Sequence, residues 1–313
     1  MKLALTLDTR AERDLIYCQQ VGVRYVLGQP DVWDRDNLRA MRHRVAVAGL
    51  ELVGVELPTP LYANALLGAA THDEWATLQQ LLRDLGEAGI STVSYGWTLP
   101  AIAYTSCAPV GRGGATVRAC DPADLPRGVP SPPPATAARL WQSLAAFLDA
   151  LLPVAEHAGV RLAMRVDLPA LCMGGGAPQI ISDLGSVRRC LDLAPSPAHG
   201  VELNTAALAW LPGIDLVEAV RQIARRRKLF ALQLASMQRQ GAGYRECFLD
   251  EGLVPVPQVL AALAAAGYDG IVRTAPPPAA VGDTVWGHKG RAHDVGYVKA
   301  TWQVVERLPE TIS

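Results

Sequence analysis

Near the middle of the chain, Arg161-Leu-Ala-Met-Arg-Val-Asp-Leu-Pro169 ends an apolar run with a cation, an anion and a proline. Such a run reads as a buried strand opening into a loop. A buried charge without a counter-charge costs several kcal/mol. Arg165 therefore needs Asp167, Glu56 or an anionic ligand beside it. A guanidinium matches planar oxyanions such as carboxylates through its fork of N–H donors. Asp167 or Glu56 has the chemistry of a general base. His288, inside the polar stretch Trp286-Gly-His-Lys-Gly-Arg291, has that of a general acid. An acid, a base and a fixed cation around one ligand would suit a lyase or an isomerase.

The elements that must position these groups alternate from end to end. Strand one is expected over residues 2–7, strand two over 25–27, strand three over 50–57 and strand four over 91–97. The opening stretch is strand five. Strand six covers 200–208, strand seven 229–235 and strand eight 270–273. Helices are expected over 12–20, after the cap Asp34, over 73–88, 138–158, 183–193, 215–226, 257–266 and 293–308, several stopped by glycine. Eight strand–helix units match a (β/α)8 TIM barrel, which takes about 250 residues plus insertions. No G-x-G-x-x-G follows the first strand, which leaves an open dinucleotide-binding sheet little support. The chain is read as one barrel domain over 1–313, with a lid-like insertion over 99–137 that contains Gly111-Arg-Gly-Gly114 and a proline-rich run.

In such barrels the chemistry sits where the strands end at their carboxyl rim. The strand-end residues are Asp8, Gln29, Glu56, Tyr95, Trp97, Arg165, Asp167, Asn204, Gln233, Ser236 and Arg273. Other polar features read as structural. The cations 225–228 cap a helix C-terminus. Gly111-Arg-Gly-Gly114 lacks the Lys-Ser/Thr of a phosphate loop. Cys172 and Cys247 have no histidine nearby, and His157 and His199 read as surface residues.

Composition removes several classes. Lysine plus arginine is 29 against 30 acidic residues, which gives no electrostatic case for nucleic acid or an anionic membrane. The first residues alternate with threonine and read as a strand rather than a signal peptide. No run of about 18 apolar residues occurs. The cysteines at 18, 107, 120, 172, 190 and 247 are scattered, and are expected as reduced thiols of a cytoplasmic protein.

Several stretches together resemble the mannonate dehydratases, a family of xylose-isomerase-like TIM barrels. Tyr95-Gly-Trp97 followed by Pro100 resembles the family's Tyr-Asn-Trp-Met-Pro. Thr105-Ser106, Ala108-Pro109 and residues 111–118 resemble its lid loop. Leu152-Pro-Val-Ala-Glu-His-Ala-Gly-Val160, Ser196-Pro-Ala-His-Gly200, Phe248-Leu-Asp-Glu-Gly252, Gly267-Tyr-Asp-Gly270 and Trp286-Gly-His-Lys-Gly-Arg-Ala292 are similarly close. The resemblance implies removal of water from a six-carbon sugar acid with a divalent metal such as manganese. It implies metal ligands of histidine, cysteine, histidine and aspartate on strands five to eight. At the matching places this chain has Arg165, Asn204, Gln233 and the stretch Thr274-Ala-Pro276.

Arginine is a permanent cation and amides are poor ligands for a transition metal, so the manganese site is expected to be lost and no cofactor is expected. Arg165 would then hold a carboxylate or stabilise an enolate, without activating water as a metal does. The expected site comprises Arg165, Asp167, His288 and Glu56 as catalytic residues, with Tyr95, Trp97, Asn204, Gln233, Arg273 and Arg291 binding a small hydroxylated, carboxylate-bearing molecule. Two other readings remain open: a non-catalytic ligand-binding protein, and a mannonate dehydratase with a shifted metal site. A homo-oligomer is expected, with the 99–137 insertion as a lid or as an arm to a neighbouring subunit.

Overall fold

The structure, a computed structural model, describes residues 1–99, 104–125, 135–166, 179–211 and 213–307. In chain order its elements are β1 (Lys2–Leu7), α1 (Glu12–Gln20), β2 (Tyr25–Gly28), α2 (Arg35–Val47), β3 (Glu51–Glu56), α3 (Ala63–Leu66), α4 (His72–Glu87) and β4 (Thr92–Gly96). Next come β5 (Ser106–Ala108), β6 (Val117–Cys120), α5 (Ala137–Ala158), β7 (Arg161–Val166), α6 (Leu184–Asp192), β8 (His199–Asn204), α7 (Thr205–Trp210) and α8 (Leu216–Arg225). The chain continues through β9 (Leu229–Leu234), β10 (Ser236–Gln240), β11 (Gly243–Cys247), α9 (Val256–Ala265), β12 (Ile271–Thr274) and α10 (His288–Val305).

Eight of these strands close a parallel barrel in the order β1-β12-β9-β8-β7-β4-β3-β2. The opening stretch is β7, the fifth barrel strand. Its Arg165 is in register with Gly96 on one side and Glu202 on the other. Successive side chains of a strand alternate between the barrel interior and the helix layer. Ala4, Leu27, Val53, Ala231 and Ile271 pack together as one buried interior layer. Two residues further along their strands stand Thr6, Gln29, Gln233 and Arg273, so the apolar floor gives way to a polar layer at the carboxyl ends.

Local chemistry accounts for the helices. The Asp34 carboxylate accepts from the Asn37 N–H at 2.9 Å and starts α2. Thr71 and Glu74 form a reciprocal capping box at the start of α4. Gly159 ends α5 at φ 68, in the left-handed region that favours glycine. The inward face of α5 carries Leu144, Phe147, Leu148 and Leu151, all buried against the barrel. Each such side chain contributes about 1.5–3 kcal/mol through burial. Among the described residues no helix is long and apolar enough to cross a membrane.

Several boundaries differ from the sequence reading. Part of the supposedly irregular excursion is ordered: β5 and β6 join β11 and β10 in a second, antiparallel sheet of order β10-β11-β6-β5. The β10–β11 hairpin follows β9 directly; its turn signal, Gly241 at φ 57 between paired Gln240 and Gly243, went unread in the sequence. Gly243 permits the close approach between the two halves, since a Cβ there would lie 1.8 Å from the Cys120 carbonyl oxygen. Strand six ends at Asn204 rather than Leu208, because the Asn204 side chain accepts from the Ala206 and Ala207 N–H groups and starts a helix. The closing helix begins at His288 rather than His293, with the Asp283 carboxylate accepting from the Lys289 and Gly290 N–H groups. His199 is fully buried rather than on the surface, and its Nε2 is bonded to the Cys190 carbonyl. Cys120 is disulfide-bonded, so not all six cysteines are free thiols.

Candidate active site

A cavity of about 270 Å³ opens at the carboxyl ends of the barrel strands. Its walls are Thr6, Gln29, Glu56, Arg165, Gln233, Arg273, Thr274, Pro276, Trp286 and Arg291. Thr6, Gln29, Glu56, Arg165, Gln233 and Arg273 stand at or just beyond strand ends, where the alternation of the strands turns them to the mouth. The second sheet is tied into the same rim: Thr116 and Ala279 exchange backbone hydrogen bonds, joining the insertion to the loop after β12.

The charges form a chain. Arg165 Nη1 lies 3.6 Å from Glu56 Oε1, and the same oxygen is 2.7 Å from Arg273 Nη2. Arg273 Nε donates to Glu202 Oε1 at 2.6 Å, and its Nη1 reaches Thr6 Oγ1 at 3.4 Å. Burial works against the Arg273 charge, but Glu202 and Glu56 outweigh it and hold the pKa above the ordinary arginine value. Arg291 is also buried. Its Nε donates to the Trp286 carbonyl at 2.8 Å and its guanidinium lies 4.4 Å from the Trp286 ring centre. Burial is the main cause of its lowered pKa, with Asp294 pulling the other way. Among the described residues three guanidiniums and one carboxylate, Glu56, line the cavity, with Glu202 and Asp294 as counter-charges behind Arg273 and Arg291. Such a site favours a small anion.

Of the expected residues, the structure brings Glu56, Arg165, Gln233, Arg273 and Arg291 to one cavity. Asn204 stands beside them: its Nδ2 donates to Gln233 Oε1 at 3.0 Å while its oxygen caps α7. Asp167 lies outside the described residues. Tyr95 and Trp97 are not brought to the cavity. They are buried in the helix layer with Tyr62 and Phe147, where Trp97 stacks on Tyr62 with centroids 5.9 Å apart and donates to the Leu140 carbonyl. Their parity explains it. Gly96 pairs with inward-facing Arg165, so its neighbours on either side point outward. His288 is also elsewhere. Its Nε2 contacts Asp14 Oδ1 at 3.1 Å and its Nδ1 bonds Thr284, beside a separate surface cleft lined by Ile16 and Tyr17.

Sequence reasoning missed Glu202, whose side chain is 1% exposed and anchors Arg273. The signal was available: a glutamate two residues before Asn204 in an otherwise apolar strand shares its face. Thr6, Thr274 and Trp286 were not singled out either. They line the cavity through strand and loop placement that no local motif announces.

Comparison with known proteins follows the same direction. The model of the family described as D-mannonate dehydratase (UxuA) matches residues 134–311. Mannonate dehydratase 2 of Halalkalibacterium halodurans is 25% identical over 322 residues, covering 91% of this chain and 91% of that protein. Mannonate dehydratase of Enterococcus faecalis is 24% identical over 281 residues, covering 78% of this chain and 77% of the relative. Among solved structures, mannonate dehydratase from Streptococcus suis serotype 2 superposes with a TM-score of 0.87 at 21% identity, over 98% of this chain and 94% of that one. A D-psicose 3-epimerase from Clostridium cellulolyticum H10 shares the fold with a TM-score of 0.65 at 13% identity, over 96% and 99% of the two chains.

These matches overturn the expectation of a protein without a cofactor. They point to the metal-using family of the resemblance, and relatives at 21–25% identity do not show a lost metal site. The described cavity residues do not by themselves fit a divalent ion. Glu56 Oε1 is engaged by two guanidiniums, and among the described residues no three His, Cys, Asp or Glu side chains converge. The barrel and its rim cavity agree with the match over residues 134–311, more than half of the 313-residue chain: the protein belongs to the D-mannonate dehydratase (UxuA) family.

Proposed function

We propose that the protein is a carbon–oxygen lyase that removes water from a small hydroxylated carboxylic acid of the mannonate type. The observation that carries this reading is Glu56, a carboxylate on the cavity wall held at 2.7 Å by Arg273 and at 3.6 Å by Arg165. An ionised carboxylate so fixed serves as the base that takes the proton from the carbon next to the ligand's carboxylate. The electron pair left behind delocalises toward that carboxylate, and fixed guanidiniums stabilise the enolate charge. The hydroxyl on the adjacent carbon departs with a proton as water, and the resulting enol becomes a 2-keto acid. Asp167, the other carboxylate the sequence offers as a base, lies outside the described residues. The cavity volume of about 270 Å³ suits a small molecule rather than a polymer.

The test is turnover of D-mannonate by wild type and Glu56→Gln, with manganese added. The reading expects a keto acid from wild type and at least about a 100-fold loss in the variant, as for removal of a general base. A second reading, ligand binding without catalysis, is favoured by one observation: among the described residues, Glu56 is the sole carboxylate lining the cavity. It expects D-mannonate to bind with no keto acid formed.

A further inference from the structure

The motif Gly111-Arg-Gly-Gly114, which the rim cavity leaves unused, presents Arg112 at the turn between β5 and β6, with Gly113 at φ 60 and Gly114 at φ 79. Arg112 Nη1 and Nη2 donate to the Asp250 carboxylate at 2.8 and 3.0 Å, and the guanidinium lies 4.8 Å from the Phe248 ring centre. His293 of α10 packs against the same ring, with centroids 5.1 Å apart. Its Nε2 is 3.6 Å from Asp250 Oδ1 and its Nδ1 is 3.1 Å from Asp294 Oδ1. One imidazole thus stands between two carboxylates, Asp250 just after β11 and Asp294 on the closing helix, the latter only 3% exposed. A neutral imidazole has one N–H and an imidazolium has two. Both contacts are attractive when His293 is charged, or when it is neutral and Asp294 carries the proton on the facing oxygen. With that shared proton gone, a single N–H serves one carboxylate. Buried Asp294 claims it, because an unpaired charge costs most where water is excluded. The bare Nε2 then faces Asp250, and the tie is lost.

We propose that Arg112, Asp250, His293 and Asp294 form a proton-dependent clasp that fastens the second sheet to the closing helix. The clasp does not depend on which molecule the cavity takes. The same sheet meets the rim through Thr116 and Ala279, so the clasp sets how firmly one side of the barrel mouth is held. Burial pushes Asp294 up to about 6, and the Arg112 hydrogen bond holds Asp250 below the ordinary carboxylate range. The shared proton therefore leaves as the pH rises past about 6, while Asp250 stays ionised. The other groups facing the cluster are Arg291 and Tyr297 of α10, Glu251 beside Asp250, and Cys247 of β11. Arg291 keeps its charge across this range. Burial raises the Cys247 thiol to about 11 and raises the Tyr297 phenol, so both stay neutral.

The experiment is hydrogen exchange of the β5, β6 and β11 amides, with the barrel strands as internal reference. Wild type, Asp294→Asn and Asp250→Asn are compared at equal pH, so that the pH dependence of exchange itself cancels. Asp294→Asn puts a neutral amide with its own N–H at the buried position, which leaves the His293 Nε2–H for Asp250 at any pH. At about pH 5 wild type and Asp294→Asn should be equally protected, and at about pH 8 wild type should exchange roughly two- to fivefold faster, the worth of one partly exposed ion pair. Asp250→Asn should lose protection at both pH values, since neither Arg112 nor His293 keeps a charged partner. A ratio of wild type to Asp294→Asn that is the same at both pH values would overturn the clasp. So would an Asp250→Asn protein as well protected as wild type at the lower pH.

Discussion

Glu56 serves two guanidiniums at once, and this decides how the residues around it should respond to substitution. Removing Arg165 leaves Glu56 still held by Arg273 at 2.7 Å. Arg165→Met is therefore expected to cost less than about 1 kcal/mol of stability, as for a partly exposed pair, while D-mannonate affinity falls by roughly 1.5–3 kcal/mol. Melting temperature and titration calorimetry on the same preparation check both halves. Arg273 differs because Glu202 beneath it is buried. Arg273→Met strands that carboxylate and is expected to destabilise the fold by about 3–5 kcal/mol, read from urea unfolding. Asp294 gives a pH signature. Burial raises its carboxyl from the ordinary 3.8 to about 6, although His293 at 3.1 Å and Arg291 pull it down. The folded state thus binds this proton more tightly than the unfolded chain. Its contribution to stability is complete below the unfolded value and is lost as the pH rises through about 6. The change is on the order of 3 kcal/mol. Asp294→Asn should flatten stability across that window, and an unchanged slope would remove Asp294 as its source. At this scale the sequence marked Arg165, Glu56, Gln233 and Arg273 as strand-end residues, because a charge or amide at the end of an apolar strand needs a reason, and Arg291 through the polar stretch 286–291; all five line one cavity. Tyr95 and Trp97 were misplaced by one step of strand parity. His288 was misplaced because a polar glycine-flanked stretch reads as loop although Asp283 caps it into a helix.

The barrel elements and the second sheet differ in how far the chain announces them. Amphipathic α4 and α5 and the apolar β7, β8 and β9 carry their own periodicity, so their order and approximate limits follow from local pattern. The sheet of β5, β6, β10 and β11 joins short segments more than a hundred residues apart in sequence, and no local signal specifies that pairing. Side-chain ties hold it together. Arg118 donates twice to Glu246, at 2.7 and 2.6 Å, and the Tyr104 hydroxyl reaches the same carboxylate at 2.8 Å. Arg112 pairs with Asp250 through two bonds of 2.8 and 3.0 Å. Gly243→Ala would force a Cβ against the Cys120 carbonyl and separate β11 from β6. The expected result, by hydrogen exchange, is loss of protection in β5, β6 and β11 with the eight barrel strands unaffected. Equal protection in wild type and variant would show that the pairing does not depend on that close approach.

Over the whole molecule, the alternation of eight strands and helices, the closed parallel barrel and the family match agree. What the sequence left hidden was which strand-end residues meet, since that depends on register between strands. The central claim is that the rim cavity removes water from a hydroxylated carboxylic acid with Glu56 as base. D-mannonate turnover, followed as keto acid formed per active site with manganese present, tests it most directly in wild type and Glu56→Gln assayed side by side. The account predicts keto acid from wild type and a loss of at least about 100-fold in Glu56→Gln, with D-mannonate still bound by the variant. A wild-type protein that binds D-mannonate without forming keto acid, or a Glu56→Gln protein as active as wild type, would contradict it.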